Sequence, residues 1–365
     1  MSRSRAKSTF DEPLLLAYLL TVVTGLIMVY SASSVMAESR FGSQFFFLRH
    51  QAMWAVISLV AMYVVIRIDL QRWAIYAAPG LLITILLLSL VFLMPARNES
   101  HRWLFLGPIT IQPSELFKFL MILALSFSLS NPKRNLGDWK QLLFPYAPII
   151  GVGLGLIMLE PDLGTSVVIL ITAVGLFFLA GARIKHLLYG ITPAVGIATF
   201  VVFVLGYKKA RILDYIAAIV DPLQGSYQVK QAALTFGSGG LLGTGLGDGR
   251  QKLFFLPYPH TDFIFASIGE ELGFVGLLAI IAVLGLLLYR GCRIAMAQPD
   301  KFGFLLAAGM TWSLFVNIAI NLGVVTAVLP VTGLALPFYS YGGSSLLVSS
   351  AAIGVLINLS RRGKV

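Results

Sequence analysis

Apolar runs of about 20 residues recur along this 365-residue chain, and they restrict its fold more than any other feature. Examples are 13–33, 163–181 and 187–206. Each is long enough to cross a hydrocarbon core of about 30 Å as a helix. Helices are favoured because backbone polar groups in lipid must be satisfied within their own segment. Charged residues make up only 12% of the chain, against about 25% in soluble domains, and this excludes an ordinary soluble fold.

The pattern predicts an all-α integral membrane protein, a single domain over residues 1–365 with about ten transmembrane helices. The predicted spans are 13–33, 51–68, 74–94, 113–130, 141–159, 163–181, 187–206, 263–289, 303–329 and 344–360. Three longer connections interrupt them, namely 95–112, 330–343 and the large loop 207–262 between helices 7 and 8. Connections beyond about 12–15 residues are usually functional or disordered. Because these three contain aromatic residues, we expect them to form a working site.

Basic residues are distributed unevenly between the two predicted sides of the membrane. Sixteen of the 27 Lys and Arg residues fall on the side of both termini, against four in the short loops of the other side. By the positive-inside rule, the termini 1–12 and 361–365 are cytoplasmic and the three long connections are extracytoplasmic. Six more basic residues in 207–262 give the outer face a positive patch that suits an anionic ligand. The net charge of +11 therefore reflects membrane topology and does not indicate a nucleic-acid partner.

An ionisable pair lies within the predicted fourth span. Pro113 suits the first turn of a helix, so Glu115 and Lys118 are three residues apart on one face and can pair. Ionisable groups inside a span are costly and usually face a bundle interior or a wet cavity. Two interpretations stay open, a structural ion pair near a helix end or a pair that lines a functional cavity.

A carboxylate stands where the long loop meets the eighth span. At such an apolar boundary Asp262 would hold a proton readily unless a cation such as Lys118 keeps it ionised. That setting suits a general base, and His260 is a second candidate acid or base. The alternative for Asp262 is a helix N-cap. Two turns further on, at least one of Glu270 and Glu271 should face the bundle interior.

Two further positions on the predicted outer side could meet a ligand. Asp162, between the fifth and sixth spans, is either a helix cap or a ligand-site carboxylate. Arg102 and Trp103 place a cation beside an aromatic ring, which suits a diphosphate, although an interfacial belt is the commoner position for Trp. The glycine-rich stretch 237–249 lacks the Gly-Lys-Ser/Thr of a nucleotide loop and predicts flexible turns.

Taken together, these motifs resemble the SEDS family (shape, elongation, division and sporulation), which includes FtsW and RodA. The resemblance covers nearly the whole chain. The matching stretches are Tyr30–Ser33, Arg102-Trp103, Gln112–Glu115 with Lys118, Glu160–Thr165, Asp221-Pro222 with Tyr227-Gln228, Gly243–Gly247, Gln251-Lys252, Leu256-Pro257 with His260–Ala266, Gly269–Glu271 and Leu336–Ser345. The C-terminal part is closer to the division branch (FtsW) than to the elongation branch (RodA), which stays an alternative.

The resemblance implies a ten-helix peptidoglycan glycosyltransferase that polymerises lipid II on the outer face of the bacterial cytoplasmic (inner) membrane. Asp262 matches the family's catalytic carboxylate, and Glu115 and Lys118 are expected in its cavity. The other expected supporting or substrate-binding residues are Arg102, Trp103, Gln112, Ser114, Asp162, Arg211, Gln228, Lys252, His260, Thr261, Glu270, Ser340, Gly342, Gly343 and Ser344. The implied cofactor is a divalent cation, Mg²⁺ or Mn²⁺, with Asp262 as its ligand. The implied partners are lipid II, lipid-linked glycan, a class B penicillin-binding protein that crosslinks the glycan, and other division or elongation proteins.

Two departures from the family pattern affect the expected site. Tyr258-Pro259 stands where the family often has Glu-Ala, which leaves a bound cation fewer ligands. Residues 98–101 replace the Asn-Gly-Ala that often precedes Arg-Trp. Neither departure changes Asp262.

The expected mechanism has Asp262 take a proton from the acceptor sugar 4-hydroxyl as that oxygen attacks the donor anomeric carbon. Candidate cations for the departing undecaprenyl diphosphate are Arg102, Lys118, Arg211 and Lys252. A lipid II flippase is an alternative function, because intramembrane charge also marks substrate pathways in carriers. A non-catalytic scaffold for division proteins is a third, and it gives Glu115 and Lys118 no purpose.

Overall fold

The apolar runs fold as helices in a computed structural model, which describes residues 10–95, 101–107, 109–134, 137–138, 140, 144, 146–204, 206, 209–221, 225–250 and 255–363. The helices are α1 (Glu12–Phe41), α2 (Phe46–Arg67), α3 (Leu70–Ala74), α4 (Ala77–Val91), α5 (Pro113–Leu129), α6 (Ala147–Leu159), α7 (Leu163–Leu179), α8 (Ile184–Phe203), α9 (Lys209–Val220), α10 (Tyr227–Gly239), α11 (Ile264–Met296), α12 (Lys301–Val325) and α13 (Gly343–Ser360). Strands β1 (Leu104–Leu106) and β2 (Ile109–Ile111) pair antiparallel as a hairpin before α5.

Each of the ten predicted spans corresponds to one of these helices, which confirms the predicted membrane fold. By length and composition, α1, α2, α11, α12 and α13 can each cross a membrane, and α4, α6 and α7 are shorter apolar helices. The predicted ends were less accurate. α1 continues to Phe41, eight residues past the predicted end, and α12 stops at Val325, four residues before it. Residues 141–143 and 145, at the start of the fifth predicted span, lie outside the described residues.

Short polar caps set where several helices begin and end. Asp11 accepts a hydrogen bond from the Leu14 N–H at 2.9 Å and starts α1, whereas Gly42, with φ 65°, ends it. Asp300 accepts from the Gly303 N–H and starts α12 in the same way. Asp is a favoured N-cap residue and Gly readily adopts a positive φ, so these boundaries follow from local chemistry.

The bundle is built around α12 and α13. In their most apolar 18-residue windows, 72% and 78% of residues are buried, against 22% in the corresponding window of α11. α2 packs along α13, α5 and α7 pack along α12, and α11 lies between α12 and α1. The outer faces of α1, α2, α4 and α11 carry large exposed apolar side chains, as helices that face lipid do.

The first helix is tied to α11 and α13 by polar contacts at one end of the bundle. The Asp11 N–H donates to Ser360 Oγ at 3.2 Å, and Arg290 Nη2 donates to the Asp11 carboxylate at 2.5 Å. Further along α1, Tyr18 Oη donates to Ser350 Oγ at 2.8 Å. All three contacts join residues that are more than 250 positions apart in the sequence.

Helix α11 is broken at Gly273, and the predicted glycine turns fill the break. Gly273 has φ 68° and ψ −171°, a conformation that is essentially restricted to glycine. The Thr244 and Gly245 N–H groups donate to the carbonyls of Glu270 and Glu271, at 2.9 and 3.1 Å. Turns follow the end of α10 in this stretch, as predicted, and part of their backbone is paired with the interrupted helix.

Candidate active site

A cavity of about 150 Å³ lies at the end of the bundle where α5, α7, α11 and α13 begin. Its walls come from these four helix starts, from α12, from the residues just before the hairpin and from the segment 333–335. The residues that line it are Arg102, Trp103, Gln112, Glu115, Asp162, Thr165, Thr261, Asp262, Asn317, Gly333, Leu334, Ala335, Tyr341, Gly342 and Ser345. The uneven distribution of basic residues predicts that this end is extracytoplasmic. Three carboxylates from separate parts of the sequence thus share one hollow.

Asp262 lines this cavity and does not cap α11. The N-cap position is Phe263, and no side chain makes a capping hydrogen bond there. Thr261 Oγ1 donates to Asp262 Oδ1 at 2.6 Å. The N-cap interpretation of Asp262 was therefore wrong, and the carboxylate lies in the cavity that the alternative interpretation required.

Glu115 and Lys118 form the predicted ion pair. Lys118 Nζ lies 2.8 Å from Glu115 Oε2, and the two side chains are 5% and 7% exposed. Glu115 lines the cavity with Asp262, whereas Lys118 lines a smaller adjacent one, and Asn317 borders both. The carboxylate that the Lys118 ammonium contacts is that of Glu115, and a direct effect of Lys118 on Asp262 stays a prediction.

Asp162 is confirmed as a helix cap and also lines the cavity, so its role as a ligand-site carboxylate stays a prediction. It caps α7 by accepting from the Thr165 N–H at 3.1 Å and from Thr165 Oγ1 at 2.8 Å. The same carboxylate lines the cavity, accepts from Gln112 Nε2 at 3.2 Å and lies 3.8 Å from Arg102 Nη1. Arg102 also donates to the carbonyls of Glu160 and Pro161, so its guanidinium is fixed at the cavity wall beside Trp103.

Glu160, which the sequence analysis passed over, is a fully buried carboxylate behind this wall. Its side chain is 0% exposed, and neither carboxylate oxygen has a hydrogen-bond partner among the described residues. The pKa of Glu160 is raised from 4.5 to about 8, chiefly by burial and also by the negative charge of Asp162, while Arg102 acts in the opposite direction. This burial could not be predicted, because a charged residue in a turn between two helices is ordinarily exposed.

The structure does not support His260 as a second acid or base of the cavity. Its ring is 3% exposed and packs 4.3 Å from the Phe47 ring and 5.6 Å from the Tyr341 ring. Burial lowers the pKa of His260 to about 4, and the positive charge of Arg40 contributes to this shift. His260 is thus a neutral ring in an aromatic cluster, outside the group of residues that lines the cavity.

Glu270 also lies away from the cavity, in contact with the glycine-rich stretch. Glu270 Oε1 accepts from the Arg250 N–H at 2.7 Å, and Glu271 Oε2 accepts from Ser31 Oγ at 2.5 Å. Both glutamates are buried, at 2% and 1% exposure, which confirms that at least one of them faces the interior. The supporting role expected of Glu270 is therefore structural, in holding the break of α11.

Four of the predicted site residues hold the walls together. Ser340 Oγ donates to the Thr261 carbonyl at 2.6 Å, and Ser344 Oγ accepts from the Gln112 N–H at 3.0 Å. Gly342 lines the cavity, and Gly343 lets α13 approach Trp54, because a Cβ there would lie 2.2 Å from the indole.

The other predicted residues lie elsewhere. Ser114 is buried, and its hydroxyl has no hydrogen-bond partner among the described residues. Gln228 lines a separate cavity of about 180 Å³ with Asp214 and Tyr215. Arg211 is on α9, where the structure describes its backbone only, and Lys252 lies outside the described residues.

Asn317 and Asn321, two amides on α12, were not among the predicted site residues. Asn317 lines the cavity, and Asn321, one turn further on, is 1% exposed. Two amides one turn apart in an otherwise apolar span are a usable signal, because polar groups inside a membrane span usually face the bundle interior.

The described residues do not fit a protein cage for Mg²⁺ or Mn²⁺. No three His, Cys, Asp or Glu side chains among them are grouped so that they could hold a metal ion. Of the three cavity carboxylates, Glu115 is paired with Lys118 and Asp162 with the start of α7. The cation therefore stays a prediction, and no step below depends on it.

Comparison with known proteins gives a consistent result. Residues 12–365 match the model of a family described as "Cell cycle protein", which groups FtsW, RodA and SpoVE. The stage V sporulation protein E of Bacillus subtilis is 42% identical over 361 residues, covering 97% of this chain and 98% of that protein. A probable peptidoglycan glycosyltransferase FtsW of Geobacter metallireducens is 41% identical, covering 97% of this chain and 96% of that protein.

Solved structures show the same architecture. A chain of a peptidoglycan synthase complex, described as coordinating polymerization and crosslinking, superposes with a TM-score of 0.79 at 28% identity, covering 97% of this chain and 98% of that one. The rod shape determining protein RodA of Thermus thermophilus superposes with a TM-score of 0.70 at 27% identity, with full coverage of both chains.

Proposed function

Because the chain belongs to the FtsW/RodA/SpoVE family of cell cycle proteins, we propose that it is a peptidoglycan glycosyltransferase in which Asp262 is the catalytic base. One observation carries the assignment of the site. Asp262, Glu115 and Asp162 line a single cavity at the predicted outer end of a multi-pass bundle. In this cavity a lipid-linked disaccharide can place its sugars against the carboxylates while its lipid tail stays in the bilayer.

Asp262 has the chemistry that glycan polymerisation needs. Its carboxylate accepts the proton of the acceptor sugar 4-hydroxyl as that oxygen forms a bond to the donor anomeric carbon. The bond between that carbon and the diphosphate oxygen breaks at the same time, and undecaprenyl diphosphate leaves as an anion. Thr261 Oγ1 donates to one carboxylate oxygen of Asp262, which fixes the orientation of the carboxylate.

Glu115 and Lys118 reduce the charge conflict inside the cavity. Three ionised carboxylates in one hollow would repel one another and disfavour an ionised base. The ammonium of Lys118 neutralises Glu115, so Asp262 faces a paired carboxylate in place of a second free negative charge.

The departing diphosphate meets positive potential at the same end of the bundle. Helices α5, α7, α11 and α13 all begin there, and a helix N-terminus carries a partial positive charge that stabilises anions. Arg102 adds a full charge on the wall. Together they supply the electrostatic stabilisation that the expected mechanism assigned to basic residues.

The proposed setting is the bacterial cytoplasmic membrane, with both termini in the cytoplasm and the cavity outside. The uneven distribution of basic residues supports this orientation. The proposed partner is a class B penicillin-binding protein, supported by the similarity to a synthase complex that couples polymerization with crosslinking. Identities of 40–41% to relatives named FtsW, against 27% to the RodA structures, support the division branch.

The test is polymerisation of fluorescent lipid II by purified protein, with and without the transpeptidase partner. We expect Asp262→Asn to lose at least about 100-fold of the rate, the lower range for a general base. Asp300→Asn is the matched control, because Asp300 caps α12 away from the cavity and Asn caps a helix equally well. Parental polymerisation by Asp262→Asn would refute the assignment. Lipid II translocation in vesicles without any polymer would favour a flippase.

A further inference from the structure

The loop that carries Asp262 is fixed through three consecutive backbone carbonyls. The His260 carbonyl accepts from the Tyr341 N–H at 2.8 Å, and the Thr261 carbonyl accepts from Ser340 Oγ at 2.6 Å. The Asp262 carbonyl accepts from Asn321 Nδ2 at 2.9 Å. All three donors lie between residues 321 and 341, so one stretch of the chain determines the position of the loop.

Asn321 makes the contact closest to the reacting group. Its side chain is 1% exposed on α12, and Nδ2 also donates to the Leu334 carbonyl at 2.7 Å. Leu334 and Gly333 line the cavity with Asp262, and a Cβ added to Gly333 would lie 3.9 Å from Asp262 Oδ2. One amide therefore joins the backbone of Asp262 to the wall that its carboxylate faces.

The chemistry of the site requires an amide at this position. Both contacts are to carbonyl oxygens, so the residue must offer two N–H donors from one planar group, as Asn does. An ionised carboxylate of the same shape would place acceptor against acceptor. The Oδ1 atom of Asn321 has no hydrogen-bond partner among the described residues. An unsatisfied buried acceptor costs free energy, so fold stability alone does not account well for a polar group here.

We propose that Asn321 is a positioning residue for glycan polymerisation, which holds the Asp262 backbone at a fixed distance from the 333–335 wall. This inference rests on the proposed role of Asp262 as the base. Proton transfer requires the carboxylate within about 3 Å of the hydroxyl, and a displacement of about 1 Å can cost about 100-fold in rate. Asn321 acts through Asp262 and needs no contact with lipid II itself.

Asn358 provides a matched control for the structural effect of losing a buried amide. It lies on α13 at 7% exposure and donates to the carbonyls of Val65, Ile66 and Ile68 at 3.0, 3.1 and 2.8 Å. These contacts tie α13 to the end of α2, at the opposite end of α13 from the cavity. Asn321→Ala and Asn358→Ala therefore each remove a buried amide that donates to backbone carbonyls, but only the first of these amides contacts the loop of Asp262.

The experiment compares the two variants in lipid II polymerisation, with kcat and KM measured well below each variant's unfolding midpoint. We expect Asn321→Ala to lower kcat by roughly 10- to 100-fold with KM within about threefold of the parent. Asn358→Ala should lower the midpoint but keep kcat. Parental kcat in Asn321→Ala, or an equal loss of kcat in Asn358→Ala, would overturn the proposal.

A second variant, and the same variant made in the Asp262→Asn protein, keep the test decisive. If Asn321→Ala fails to fold, Ser340→Ala removes the neighbouring tie to Thr261 and should give the same kcat-specific loss. Asn321→Ala combined with Asp262→Asn should be no slower than Asp262→Asn alone. Parental activity of Asp262→Asn would overturn the proposed function, whereas inactive Asp262→Asn with fully active Asn321→Ala would overturn only the positioning role.

Discussion

The buried pair of Glu115 and Lys118 gives the most quantitative prediction. Lys118→Met keeps an unbranched apolar stem but leaves the Glu115 carboxylate, 7% exposed, without its ammonium. Removing one partner of a buried ion pair costs about 3–5 kcal/mol. Replacing both partners by well-packed hydrophobic residues of similar volume is often neutral or stabilising, and Gln with Met likewise leaves no buried charge unpaired. We therefore expect Lys118→Met to destabilise the protein by about 3–5 kcal/mol and Glu115→Gln/Lys118→Met to recover most of that loss.

The assay is a double-mutant cycle on four proteins, namely the parent, Glu115→Gln, Lys118→Met and the double variant, unfolded by SDS titration in the same mixed micelles. The cycle isolates the pairwise energy because the two side chains contact each other directly at 2.8 Å. Polymerisation is measured in parallel, and the double variant should fold yet polymerise more slowly, since Glu115 lines the cavity. A loss below about 1 kcal/mol in Lys118→Met, or a double variant as unstable as that single one, would refute the reasoning.

Two further predictions concern the turn before α7 and the break of α11. The folded protein holds Glu160 protonated up to a pKa of about 8, while the unfolded chain ionises from 4.5, so stability falls as pH rises between these values. Glu160→Gln should remove this dependence and stabilise the protein at pH 8 by at most about 5 kcal/mol. The measurement is the unfolding midpoint as a function of pH. A pH profile that Glu160→Gln leaves unchanged would contradict the burial argument. Gly273→Ala should destabilise by roughly 2–5 kcal/mol, because φ is 68° and a Cβ would lie 2.3 Å from the Gly243 nitrogen. Gly285→Ala on the same helix is the control, because a Cβ there would have no neighbouring atom within 4 Å, and it should be neutral or slightly stabilising. Equal changes in stability for the two variants would show that helix propensity, and not the break, determines the effect of Gly273→Ala.

The helical bundle could be predicted from sequence because membrane insertion depends on local composition. A run of apolar residues has to be helical wherever it lies in lipid, so each predicted span corresponds to a helix. Helix ends were less predictable. α1 continues to Gly42 because polar residues such as Glu38 and Arg40 are tolerated at the predicted water-facing end of a helix, where hydropathy no longer marks the boundary.

Contacts between distant segments account for what the sequence did not show. Gly273 looks like an ordinary glycine in an apolar helix, and only the backbone of 240–245 makes the break favourable. The hairpin before α5 and the helices within 207–262 lie in stretches without a strong apolar period. Asp262 and Glu115 were identifiable because ionisable groups near lipid demand an explanation. Asn321 was not, since its role depends on two carbonyls that the fold brings to it.

The ties of α1 also bear on how the protein is made. Asp11 and Tyr18 obtain partners from Ser360 and Ser350, which are synthesised 349 and 332 residues later. At about 5–20 residues per second, α1 therefore spends roughly 20–70 s in the translocation machinery or the bilayer before those partners exist. During that interval the Asp11 N–H and the Tyr18 hydroxyl lack these two partners, although the Asp11 carboxylate can pair with Arg290 once α11 is made. Synthesis of α13 is thus the event that completes assembly.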